Sequence, residues 1–70
     1  MNKKYWPFKT LDEQEQTKEH KAQIAWLQSW LDLGFRPYMF DSNLGVEDLQ
    51  GNTIIELIYR GSKGWETLVF

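Results

Sequence analysis

The sequence predicts an α+β domain, one long N-terminal helix packed on a three-stranded antiparallel sheet in the order αβββ. Three observations predict it. Thr10 to Phe35 carries a capping signature at each end and an apolar stripe at helical spacing. Thr53 to Phe70 contains two β-rich runs joined by a glycine-bounded turn. Between them, Arg36 to Asp41 alternates, with Tyr38 and Phe40 on one face and Met39 on the other.

The chain opens on a basic, aromatic arm, residues 1–9, with Lys3, Lys4, Tyr5, Trp6, Phe8 and Lys9. Pro7 argues against a central strand, so the arm reads as an extended edge segment whose rings cover the rim of the core. The single domain spans 10–70. Its helix starts at Thr10, where the hydroxyl caps the first turn and Glu13 completes a capping box. It ends at Gly34, a natural left-handed C′ residue, with Phe35 placed to contact Trp30. A helix of that span is roughly 34 Å long. Ile24, Leu27, Trp30 and Leu31 form its apolar stripe, whereas Gln14 to Glu19 has no apolar residue. The C-terminal half is therefore expected to dock on the sheet, leaving Asp12, Glu13, Glu15 and Glu19 on a wet acidic face. His20 falls on the stripe, has no second histidine at i+4, and reads as a half-buried polar residue rather than a metal ligand.

After the first strand, Asp41-Ser42-Asn43-Leu44-Gly45 is dense in turn formers. Its faint echo of a calcium loop fails, because the glycine comes one position early and Asn52 stands where the bidentate glutamate belongs. Val46 to Gln50 reads as a short helical turn or a short strand, and Gln50-Gly51-Asn52 as another turn. Thr53 to Arg60 is the strongest strand signal. It returns through Gly61-Ser62-Lys63-Gly64 into Trp65 to Phe70 as a β-hairpin. Pairing Arg60 with Trp65 puts Ile55, Leu57, Tyr59, Leu68 and Phe70 on the core face. The same register puts Ile54, Glu56, Ile58, Arg60, Trp65 and Val69 on the opposite face, with Arg60 stacked on Trp65.

Chemistry is scarce. There is one histidine and no cysteine among 70 residues, so no thiolate metal site or disulfide exists. No phosphate-loop order is present. The Asp12-Glu13 pair is explained by helix capping and Glu47-Asp48 by a solvated loop. No catalytic group, cofactor or metal is expected. The net charge of −2 argues against nucleic acid as the main partner. No run approaches the roughly 20 apolar residues of a membrane span, and Tyr5-Trp6-Pro7 is no signal-peptide core. These features predict a soluble, cytoplasmic protein.

The sheet face formed by Ile54, Glu56, Ile58, Arg60, Trp65 and Val69 mixes large apolar groups with charge, and one helix leaves it open. Soluble monomers seldom leave such a patch bare. Either the arm covers it or a partner does, whether another protein or a second copy. The sequence thus predicts a small, acidic, non-enzymatic protein-interaction module. It would serve as an adaptor, or as an inhibitor acting by surface occlusion, a role that suits phage and mobile-element accessory proteins. The helix carboxylates Asp12, Glu13, Glu15 and Glu19 offer a secondary surface to a basic partner. Two other readings are nucleic-acid binding through the basic aromatic arm and a self-associating structural domain.

Overall fold

Only one α-helix forms in the computed structural model, which describes residues 3–70, and it is shorter than the sequence predicts. Helix α1 spans Lys18–Asp32, about 22 Å rather than 34 Å. Its N-cap is Thr17, not Thr10. The Thr17 hydroxyl accepts the His20 backbone N–H at 3.1 Å, and His20 Nδ1 accepts the Thr17 backbone N–H at 3.2 Å. Histidine thus takes the place that Glu holds in the usual capping box. Residues Glu13–Glu15 form a separate 3-10 turn. The reason lies in the apolar pattern: a helix extended back to Thr10 would have almost nothing to bury, and helices of this length depend on a packed face. The C-terminal reading holds. Gly34 takes φ 93°, the Phe35 N–H reaches the Trp30 carbonyl, and the Gly34 N–H reaches that of Leu31. The Trp30 and Phe35 rings meet edge to face at 5.5 Å.

The class is α+β, but the sheet has five strands rather than three. They are β1 (Lys3–Tyr5), β2 (Arg36–Phe40), β3 (Asn43–Glu47), β4 (Thr53–Tyr59) and β5 (Trp65–Val69), all antiparallel and ordered β1-β2-β3-β4-β5. The arm supplies β1, pairing Tyr5 with Tyr38. Trp6 N–H donates to the Pro37 carbonyl, but proline cannot return the bond, and the β1–β2 ladder stops there.

Strand β3 is the element that turn-rich composition conceals. The hairpin between β2 and β3 needs only Asp41 and Ser42, with Asp41 at φ 54°. Asn43 and Gly45 belong to the strand. Asn43 Oδ1 accepts the Tyr59 backbone N–H. Gly45 is covered by the Tyr38 ring so closely that an added Cβ would collide with Tyr38 Cζ and the hydroxyl oxygen. Asp48 closes the next turn through its side chain, accepting N–H bonds from Gln50 and Asn52.

The hairpin of β4 and β5 is one residue out of the predicted register. Tyr59 pairs with Trp65, Leu57 with Thr67, and Glu56 with Leu68. The loop holds five residues, Arg60 to Gly64, with Gly61–Lys63 in a 3-10 turn. A slip of one residue exchanges the faces of β5 relative to β4. Ile55, Leu57 and Tyr59 keep the predicted helix side, but Trp65, Thr67 and Val69 join them, displacing Leu68 and Phe70 from the core face.

The core lies between α1 and the strands β2 and β3. Leu27, Pro37, Leu44 and Val46 are its fully buried side chains. The helix runs closest to β2, so β4 and β5 lie toward its edge.

Two substitution pairs test this architecture. Thr17→Ala is expected to cost about 1 kcal/mol in urea unfolding, and Thr10→Ala less than about 0.5 kcal/mol, because only Thr17 caps the helix. Gly45→Ala is expected to destabilise by about 2–3 kcal/mol through its clash with Tyr38, and a smaller side chain in the double variant Tyr38→Leu/Gly45→Ala recovers part of that loss.

Candidate functional site

The residues predicted to share one interaction face are divided by the register. Glu56 and Ile58 lie on the sheet face turned away from α1, together with Glu66 and Leu68. Ile54 is the extra residue of a bulge: Val46 pairs with Ile55 and Glu47 with Thr53, which leaves Ile54 without a partner in β3. Arg60 sits in the loop. Its Nε and Nη2 both donate to Glu66 Oε1, at 2.9 and 2.7 Å, so its predicted stacking on Trp65 is replaced by an ion pair. Trp65 and Val69 are on the helix side, and the ring beside Trp65 is that of Tyr59, at 5.1 Å.

The face away from α1 is therefore not an open apolar patch. A polar and aromatic cluster built from four strands closes its centre. Glu47 is 4% exposed. It accepts from Lys3 Nζ at 2.6 Å and from the Tyr5 hydroxyl at 2.9 Å. Lys3 Nζ also lies 4.4 Å from the centre of the Tyr38 ring, and Tyr5 meets Tyr38 edge to face at 6.1 Å. The Tyr38 hydroxyl stands 3.3 Å from Thr53 Oγ1 and donates to Glu56 Oε2 at 3.4 Å. Arm and sheet are thereby clasped. Trp6 adds a second tie, its Nε1 donating to Gln28 Oε1 at 2.8 Å, with Phe8 stacked edge to face on its ring.

The acidic helix face is divided as well. Asp12, Glu13 and Glu15 belong to the segment before α1, where Asp12 and Glu13 border a shallow polar recess with Lys21. Glu19 is in the first helical turn and faces a different cleft. His20, the sole histidine, is engaged as the helix cap. Among the described residues no group of three His, Asp or Glu side chains is arranged to hold a metal ion.

Two apolar clefts flank α1. One, of about 410 Å³, lies under the segment after β1 and is lined by Phe8, Leu11, Ile24, Leu27 and Met39, with Lys4 and Lys9 at its rim. The other, of about 400 Å³, opens between α1 and the β4–β5 hairpin. Trp26, Ala22 and Glu19 form its helical wall and Leu44, Leu57 and Trp65 its floor. This second cleft continues into bare sheet. Tyr59 is 51% exposed, Trp65 38% and Val69 77%, all on the helix side of the last hairpin. Beyond them β5 is the outermost strand, with no strand of the described chain on its far side. Tyr59 and Leu57 were legible as β4 residues, but their grouping with Trp65 and Val69 depends on the hairpin register.

Comparison of the chain with protein-family models, curated proteins and solved structures finds no match. No helix among the described residues is long and apolar enough to cross a membrane.

The clasp has a pH signature. Its hydrogen bond to Glu47 raises the Lys3 ammonium above its ordinary 10.5, against the opposing effect of burial, and the same partner raises the Tyr5 hydroxyl above 10.0. The fold favours the protonated form of both groups. Their contribution is complete below the ordinary values and is lost as pH rises through the raised ones. Lys3→Met leaves the buried Glu47 carboxylate short of a donor. Lys3 itself is 35% exposed and solvent-screened, so the expected cost at neutral pH is about 1–2 kcal/mol. In urea titrations the gap between wild type and Lys3→Met should hold through neutral pH and narrow above about pH 10.5.

Proposed function

We propose that this protein is a non-enzymatic protein-interaction module that binds through the helix side of its last hairpin. One observation carries the reading. The single helix stops short of β4 and β5, leaving Tyr59, Trp65 and Val69 exposed beside an apolar cleft and along an unpaired strand edge. Exposed aromatic rings at a preformed cleft are the usual anchors of protein interfaces. A free edge adds backbone donors and acceptors that an extended partner segment can use. The partner is another protein or a second copy of this chain. Occupying the partner's surface would suffice for an adaptor or an inhibitor, without chemistry of the module's own. A cysteine-free chain suits a reducing compartment, and the cytoplasm is the proposed location.

The nucleic-acid reading loses its support in the arm. Lys3 is neutralised by Glu47, Trp6 is bonded to Gln28, and Phe8 lines the first cleft. Lys4 and Lys9 remain, which is little positive charge on a chain of net charge −2.

The test is capture with a tagged chain, offering both host lysate and a differently tagged copy of the same chain. Trp65→Ser/Val69→Lys should weaken the captured complex by at least about thirty-fold, as expected for loss of an aromatic anchor. Ile58→Ser, on the opposite face, should leave it intact. Equal capture by the Trp65 variant and the wild type would sink the proposal.

A further inference from the structure

We propose that β5 pairs antiparallel with β5 of a second copy about a two-fold axis through Thr67, joining two five-stranded sheets into one of ten strands. The inference rests on the reading of the last hairpin as an interaction surface and names its partner.

The two edges of the sheet differ in kind. Strand β1 has three residues, two of them Lys3 and Lys4, and Pro7 follows closely. Short length, lysine and proline are the devices that keep an edge from pairing. Strand β5 has none of them. It is five residues long, carries no lysine or proline, and pairs with β4 without a bulge.

The hydrogen-bond phase of β5 can be read from its two ends. Arg60 N–H donates to the Gly64 carbonyl, and Phe70 N–H donates to the Ile54 carbonyl. Antiparallel ladders bond at alternate positions. Glu66 and Leu68, which lie between these ends opposite Ile58 and Glu56, therefore bond inward to β4. Trp65, Thr67 and Val69 turn their backbone N–H and C=O groups outward. An axis through Thr67 brings these three positions into register with themselves. Thr67 meets Thr67 of the second copy, and Trp65 meets Val69 of the second copy on both sides of the axis. Every outward group of the strand is then paired.

Side chains select this register over its neighbours. Moving the axis to Glu66 sets two carboxylates directly opposite each other, which is unfavourable. Moving it to Leu68 keeps only Thr67, Leu68 and Val69 of each strand paired with one another. With the axis at Thr67, Glu66 stands across from Leu68 of the second copy and keeps its bond to Arg60. On the helix side, the exposed Val69 of one copy flanks the Trp65 ring of the other. The bare strips of the two hairpins thus become one surface between two helices.

Thr67→Pro isolates the claim. It removes one outward N–H at the axis and leaves the inward bonds of Glu66 and Leu68 untouched, a place where an edge strand tolerates proline. Sedimentation of the full chain from about micromolar to millimolar should show a dimer whose dissociation constant rises about a hundred-fold in Thr67→Pro. Hydrogen exchange on the wild-type chain supplies the second readout: the Trp65, Thr67 and Val69 amides should slow as concentration rises. A strict monomer throughout that range overturns the inference. So does a dimer in which those three amides stay fast. Neither result touches the interaction reading if Trp65→Ser/Val69→Lys still weakens capture of a different protein.

Discussion

A helix is about 10–12 Å wide and strands stand about 4.8 Å apart, so one helix covers little more than two strands. This geometric limit shapes the whole molecule. Helix α1 lies closest to β2 and, with β3, encloses the fully buried residues Leu27, Pro37, Leu44 and Val46. A five-stranded sheet served by one helix must then dispose of two further surfaces, the outer half of the helix side and the whole opposite face. The chain treats them differently, and that difference locates the candidate site.

The opposite face is closed with polar and aromatic groups rather than with a second layer. The Tyr38 ring covers Gly45, and the absence of a side chain at Gly45 is what allows the contact. Glu47 is buried beside it and takes donors from Lys3 and Tyr5 of the arm. A buried carboxylate needs such partners, so the same residues that shield the face also fasten β1 to the sheet. Among the described residues, no buried side-chain nitrogen or oxygen lacks a hydrogen-bond partner. The outer half of the helix side receives no comparable treatment. Leu57 lies at the floor of a cleft, the Tyr59 and Trp65 rings meet at a tilt of 57° and are both exposed, and Val69 is bare. Leu11, Leu33 and Leu49 are exposed elsewhere, but on this hairpin exposed apolar groups adjoin both a cleft and a free strand edge.

Much of the fold was legible because it depends on local chemistry. Gly34 with Phe35 and Trp30 specifies how the helix ends, since only a residue comfortable at positive φ can close it there. The run Thr53–Tyr59 is too rich in β-branched residues to be anything but a strand. The helix start was misplaced because Thr10 and Thr17 each head a workable cap. Only contact with the sheet decides which turn has something to bury. Strand β3 was hidden because Asn43 and Gly45 resemble turn residues until their partners, the Tyr59 amide and the Tyr38 ring, are in view.

By itself, the sequence determined an α+β class, a helix ending at Gly34 and a terminal hairpin with aromatic residues at its turn. These depend on propensities and caps that act over a few residues. Tertiary structure alone decided which faces those aromatic residues occupy. Alternation in a strand has period two, so a single extra loop residue at Arg60 transfers Trp65 and Val69 from one side of the sheet to the other. What this register brings together is distant along the chain: Trp65 comes to share a cleft with Trp26 of the helix and Leu44 of β3. No local rule reads such neighbours, and the position of the candidate site follows from them.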